Sequence, residues 1–173
     1  MPEEAERKQF KMEMRELILK ALEKNSRMDI HELAIMLGCQ EVDVMNEIAA
    51  MEKEKIICGY HTLINWDKVG QERLKALIEV KVAPQRGTGF EKVAERIYRY
   101  PEVDDVYLIS GAYDILVIME GKTMREVSQF VYDKLASIDA VYSTATHFIL
   151  RKYKDHGTIL IETPKAERQM ITP

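Results

Sequence analysis

The feature that most constrains this chain is a change of hydrophobic period between residues 60 and 74. Before it, apolar residues recur at three- and four-residue steps; after it, they alternate with polar ones. The first period suits helices that bury one stripe, and the second suits half-buried strands. A uniform all-helical or all-strand fold is thereby excluded, and an α+β chain in two parts is expected.

Residues 3–24 read as one helix, with Phe10, Met14, Leu17, Ile18, Ala21 and Leu22 along its apolar stripe. Asn25-Ser26 closes it. Asp29 and Glu32 form a D-x-x-E start signal, in which an Asp side chain caps free N–H groups and Glu reaches back. Ile30, Leu33, Ala34 and Leu37 then follow at helical spacing, and Gly38 ends the helix where a left-handed residue costs little. A third helix starts near Glu41 with Val44, Ile48 and Met51 inward and Val42 and Met45 flanking. Three helices with so tight a second turn, followed by an apolar strand Ile56-Ile57-Cys58, match a winged helix-turn-helix. A small three-helix bundle without a ligand has the same spacing.

The second part reads strand Leu74–Val82, loop Pro84–Gly89, helix Phe90–Tyr100, strand Val103–Ile109 and strand Tyr113–Met119. A helix Met124–Ala136 and a long strand Val141–Tyr153 complete it. The order β-α-β-β-α-β predicts a ferredoxin-like antiparallel sheet with both helices on one face. Its other face is expected to be partly apolar and to take a second copy, making a homodimer. The expected division is 1–60 winged helix-turn-helix, 61–73 linker, 74–155 ferredoxin-like domain and 156–173 C-terminal extension, with "TPKAERQMITP" as a tail or a strap.

Charge complicates the helix-turn-helix reading. Residues 1–60 carry 9 Lys/Arg against 13 Asp/Glu, whereas residues 61–173 carry 16 of each. Phosphate contacts supply most non-specific DNA affinity, so the acidic excess sits where a DNA-binding module should be basic. The third helix alone holds Glu41, Asp43, Glu47, Glu52 and Glu54 within or beside it. Cys39 and Cys58 are isolated and read as small apolar residues, and the four histidines show no metal-ligand spacing, so neither metal nor cofactor is expected. No run reaches the ~18 to 20 apolar residues of a membrane span, and the N-terminus lacks a signal-peptide core. A cytoplasmic protein is expected.

Four stretches carry a resemblance: "ILKALEKNSRMDIHELAIMLG", "IICGYHTLINWDKVG", "PEVDDVYLISGAYDILVIMEG" and "VYSTATHFILRKYK". Together they make the chain resemble the leucine-responsive and asparagine-responsive (Lrp/AsnC) regulator family over roughly residues 14–155. The resemblance implies an N-terminal winged helix-turn-helix that binds double-stranded DNA. It also implies a C-terminal ferredoxin-like domain that senses an amino-acid-like effector, in homodimers or octamers. In that family the sensing loop lies between the middle strands, at an interface between dimers. Gly111, Ala112, Tyr113 and Asp114 are the corresponding loop residues here, with Ser143, Thr144 and Thr146 as secondary candidates. Gly111 would permit a tight turn, and Asp114 would meet a ligand ammonium. Departures from the family pattern are Gln40 in place of the usual Ser or Thr cap, Glu47 at a commonly basic position, and Lys55 in place of Gly.

The expected DNA contacts are Arg27, Gln40, Asn46, Lys53 and Lys55, with Arg7, Lys8 and Lys11 as further basic groups. Glu47 is expected to face the nucleic acid and to weaken binding. Two other readings stand beside this one. The acidic module could dock on a basic protein instead of DNA. Alternatively, the chain could resemble the two-domain sirohaem decarboxylases, although His147 stands alone on the last strand and no catalytic triad is supported. The preferred reading is not enzymatic.

Overall fold

Two buried cores, one helical and one built on a sheet, organise the chain. The computed structural model describes residues 2–71, 73–83 and 89–161, with side chains from residue 9 onward. The side chains of Arg7 and Lys8, most of the expected 84–89 loop and the tail from residue 162 lie outside the described residues. Contacts divide the chain into two units, Met1–Leu63 and Ile64–Pro173.

The first unit contains α1 (Pro2–Lys24), α2 (Ile30–Leu37) and α3 (Glu41–Lys53) around Met14, Ile18, Leu33, Ala34, Val44 and Met51. Asp29 caps α2 by accepting from the His31 N–H, and Gly38 closes it at φ 65°. The Cys39 N–H reaches back to the Ala34 carbonyl across that glycine, as a left-handed helix stop requires. Gln40 begins α3 without a side-chain cap bond, the weaker start its chemistry predicts. Phe10 and Leu17, expected inward, are 61% and 50% exposed. At 23 residues α1 outruns the 8 of α2 and the 13 of α3, so Met14 and Ile18 fill the core instead.

The expected strand Ile56-Ile57-Cys58 does not form. Both the Ile56 and the Ile57 N–H donate to the Met51 carbonyl, at 2.9 and 3.2 Å. These amides therefore stop α3 rather than pair with another strand. Lys55 sits between them and the helix at φ 59°, a left-handed position where the resemblance implies glycine. A side chain there costs about 1–2 kcal/mol. Lys55→Gly, offset by the entropy of glycine in the unfolded chain, is expected to stabilise this unit by about 1 kcal/mol in a urea titration.

The second unit has β1 (Leu74–Val82), α4 (Phe90–Tyr98), β2 (Val103–Leu108), β3 (Ile115–Gly121), α5 (Met124–Phe130) and β4 (Val141–Phe148). A π-helical turn, Val131–Leu135, extends α5 and brings Leu135 fully inside. The sheet order is β2-β3-β1-β4 with every neighbouring pair antiparallel, the ferredoxin-like arrangement. Ala76, Ile78 and Val80 of β1 and Ile115, Val117 and Met119 of β3 alternate into the core, against Val93, Ile97, Val127 and Phe130 of the helices.

The last strand stops at Phe148 instead of continuing to Tyr153. Ile149 still donates to the Lys75 carbonyl, but β1 begins at Leu74, so no partner remains beyond it. The chain then makes a hairpin of β5 (Lys154–Asp155) and β6 (Thr158–Ile159), whose turn residues His156 and Gly157 both have positive φ. Asn65, beside a short 3-10 turn Trp66–Val69, donates to the Leu160 carbonyl at 2.9 Å. Arg73 stacks over Trp66 at 3.6 Å from the ring centroid, so this end of the linker is fixed to the sheet unit.

Candidate effector and nucleic-acid sites

The loop between β2 and β3, residues 109–114, is held by backbone hydrogen bonds at its base. Ile109 N–H donates to the Asp114 carbonyl at 2.8 Å, and Asp114 N–H donates to the Val80 carbonyl at 3.1 Å. This pairing makes β3 begin at Ile115 rather than at Tyr113. The Asp114 carboxylate also accepts from the Val82 N–H at 2.8 Å, where the β1–β4 register slips. One oxygen of Asp114 is therefore structural, and the other has no hydrogen-bond partner among the described residues. Gly111 is not left-handed, and a Cβ there would meet only Ile109, at 3.8 Å. The turn does not require a glycine.

The secondary candidates on β4 divide between two faces. Thr144 pairs with Val80 and Thr146 with Ile78, so both point toward the helices; Ser143 pairs with Lys81 on the open face. Two cross-sheet rows line that open face: Asp105-Ile118-Leu77-His147 and Tyr107-Leu116-Glu79-Ala145. Leu77, Leu116 and Ile118 are only half-buried. His147 lies 3.2 Å from Glu79 and is thus paired rather than alone.

Sequence reasoning missed a cluster beside this loop. A cavity of about 330 Å³ opens between the end of β1, α4 and the turn before β4, floored by Val82, Phe90, Val93, Ile138 and Ala140. Lys92, Arg96 and Asp139 also line it, and none has an ion pair among the described residues. Lys92 and Arg96 are four residues apart, so helical spacing could have flagged them. Asp139 joins them only through the tertiary fold.

In the helical unit, the acidity of α3 resolves into two flanks. Glu47 faces α1: its side chain is 12% exposed and lies 2.7 Å from both Lys11 Nζ and Arg15 Nε. Arg15 also clasps Glu54 at 2.8 Å. Burial raises the Glu47 carboxyl, but the hydrogen bonds from Lys11 and Arg15 outweigh it and hold the group below the ordinary carboxylate range. The hydrogen bond from Arg15 likewise lowers Glu54. Glu41 pairs with His31 at 2.7 Å, and Glu52 accepts from the Tyr60 hydroxyl at 2.8 Å. The expectation that Glu47 faces a nucleic acid is thus overturned, and Lys11 is engaged in holding it.

Glu41, Asp43 and Glu52 are exposed, and beside them α3 turns outward a stripe at helical spacing: Val42, Met45, Asn46, Ala49 and Lys53, all exposed as well. It contains no carboxylate. Of the other expected contacts, Arg27, Gln40 and Lys55 are also exposed.

Residues 75–159 match the family model of the Lrp/AsnC ligand binding domain. An uncharacterized HTH-type transcriptional regulator of Bacillus subtilis, YugG, is 47% identical over 90% of this chain and 95% of its own length. The chain belongs to the Lrp/AsnC family. Its fold is shared by Escherichia coli AsnC, at 21% identity and TM-score 0.64, over 86% of this chain and 97% of that one. A Neisseria meningitidis transcriptional regulator solved as a complex with L-methionine has the same fold, at 24% identity and TM-score 0.64, over 82% and 91% of the two chains. This chain is thus a transcriptional regulator of the Lrp/AsnC family, with the family's ligand binding domain over residues 75–159.

Proposed function

We propose that this regulator meets double-stranded DNA with the outward stripe of α3, in a helix-turn-helix formed by α2, the Gly38–Gln40 turn and α3. The observation that carries this reading is the disposal of the acids: Glu47 and Glu54 are drawn onto Arg15, and Glu41 and Glu52 are partnered at the opposite flank. Of the five acids Asp43 alone stays exposed without an ion pair or a side-chain hydrogen bond among the described residues, so the stripe of Val42, Met45, Asn46, Ala49 and Lys53 has one unpaired carboxylate beside it. Arg27, Lys53 and Lys55 supply the phosphate contacts around it, and Gln40 and Asn46 reach base edges.

The effector is an amino acid, taken at the end of the sheet where Val82 joins the 109–114 loop to the cavity. Both charge signs of a zwitterion have complements there: the free oxygen of Asp114 and Asp139 for an ammonium, Lys92 and Arg96 for a carboxylate. Gly111 leaves space for close approach by a ligand or a neighbouring subunit. A second copy covers the open sheet face over Leu77, Leu116 and Ile118, so that the DNA-reading helices work in pairs and weak half-site contacts reinforce each other. The regulator acts in the cytoplasm and not as an enzyme. None of the described helices is long and apolar enough to cross a membrane.

Fluorescence anisotropy on DNA upstream of its own gene tests this reading. Binding is expected to weaken steeply between 50 and 200 mM salt, about tenfold or more for a few phosphate contacts, and to shift with one member of an amino-acid panel. Flat salt dependence, or no binding at low salt, would overturn it.

A further inference from the structure

We infer that α1 is an interface with a second copy of this chain, in which two α1 helices lie antiparallel with Leu17 on the two-fold axis and Glu13 beside the partner's Lys20. This inference rests on the second copy proposed above and names a further contact with it. Phe10 and Leu17 are 61% and 50% exposed, although α1 already fills the helical core with Met14 and Ile18. At about 100° per residue, side chains seven apart nearly eclipse, so Phe10 and Leu17 make one apolar edge along two turns. Met12, also exposed, lies on the far side of the helix. Lys11 and Arg15 reach α3 from the opposite flank, through Glu47 and Glu54, so this edge is not the one α3 covers. Large apolar side chains left in water on a helix that already has a core gain free energy only from an apolar contact outside the unit.

The edge is complementary to itself. Glu13 precedes Leu17 by four residues and Lys20 follows it by three, both on the side away from Ile18. Phe10 and Lys24 stand seven residues before and after Leu17. A two-fold axis through Leu17, perpendicular to the helix, sets Leu17 on the partner's Leu17 and Glu13 beside the partner's Lys20. The same axis brings the Lys24 ammonium over the partner's Phe10 ring. A parallel pair would instead oppose like charges at both positions. The balance of these offsets about Leu17 assigns the face to a second copy rather than to an unrelated protein. The charges it needs are available. Glu13 accepts only from Gln9, at 2.9 Å, and Lys24 has no ion pair among the described residues. Lys20 holds Glu16 in an exposed pair, which contributes little and exchanges readily. The contact is small, but a copy already held through the sheet unit is at high effective concentration, so a weak contact closes. Once closed, it fixes the distance between the two α3 helices and with it the spacing of half-sites that a duplex must present.

The test uses the full-length protein carrying Cys39→Ala and Cys58→Ser, with Leu17→Cys added, oxidised by diamide and run on a non-reducing gel. Helix axes about 8–10 Å apart bring the two residue-17 Cα atoms within the span of about 4.4–6.8 Å that a disulfide bridges. Leu17→Cys is expected to cross-link most of the chain into a dimer, whereas Glu23→Cys, on the far side of α1, is expected to remain a single chain. In the Leu17→Cys protein, Lys20→Glu is expected to slow cross-linking about tenfold, because each contact loses two symmetry-related ion pairs. Adding Glu13→Lys exchanges the partners of both pairs and is expected to restore the rate. All variants lie at exposed helical positions and are checked for unchanged melting temperature. The inference is overturned if Leu17→Cys cross-links no faster than Glu23→Cys, or if the second charge change fails to restore the rate. Sedimentation separates this from failure of the second copy itself. A dimer without the cross-link removes only the α1 contact, and a monomer at every concentration removes the second copy and this contact with it.

Discussion

Glu47→Lys is expected to lower the melting temperature of the helical unit by about 10 °C and to leave DNA affinity no better than that of the wild type. Judged by sequence, this reversal should help, because it replaces an acid on a DNA-reading helix with a base. The structure places the side chain elsewhere. Glu47 is 12% exposed and bonded at 2.7 Å to both Lys11 and Arg15, so a lysine there would face two cations in a half-desolvated notch against α1. Breaking a buried pair costs about 3–5 kcal/mol, but Lys11 remains 52% exposed and water screens part of the repulsion. About 2 kcal/mol is the expected loss, and in a unit of this size each kcal/mol moves the midpoint by about 4–8 °C. Circular dichroism melting and low-salt anisotropy decide the matter. An unchanged midpoint with tighter binding would put Glu47 back on the DNA side.

The same cluster sets an acid limit. Glu47 and Glu54 have folded pKa values below the ordinary glutamate range, so their contribution is complete above that range. It is lost as the pH falls through the lowered folded values. The difference in midpoint between wild type and Glu47→Gln is expected to close over that acid window.

The contrast between Glu47 and Asn46 shows what a sequence of this kind makes legible. Apolar period placed α1, α2, α3 and the βαββαβ order, because burial of Val44 and Met51, or of Ile78 and Val117, obeys local geometry. It did not tell which flank of α3 each acid occupies relative to α1, since the Arg15–Glu47 contact joins residues 32 positions apart. Wing and strand ends failed for a related reason. Ile56-Ile57 has strand composition, yet its amides satisfy the Met51 carbonyl, a competition that composition does not record. The end of β4 depends on where β1 begins, which is a property of the partner. In the effector region, the loop residues could be named by resemblance, whereas Asp139 could not be joined to Lys92 and Arg96 before the turn at 138–140 was placed beside α4.

Asp114 carries two roles that a pair of substitutions should separate. Its first oxygen accepts the Val82 N–H at 2.8 Å at the point where β1 slips register, and its second is open. Asp114→Ala removes the acceptor and leaves that half-buried amide unpaired, an expected loss of about 1–3 kcal/mol in stability. Asp114→Asn keeps a carbonyl oxygen in the same place, so the Val82 bond survives and the melting temperature is expected to stay within about 3 °C of wild type. What asparagine cannot supply is the negative charge that makes a hydrogen bond to an ammonium roughly twice as strong as a neutral one. Amino-acid affinity, measured by calorimetry on the Asn variant, is therefore expected to fall by about tenfold or more while the fold holds. If the Asn variant binds its effector like wild type, Asp114 serves only to clamp β3 against the β1 bulge. The ammonium would then have to find its partner at Asp139, and the effector would lie wholly within the cavity beside α4.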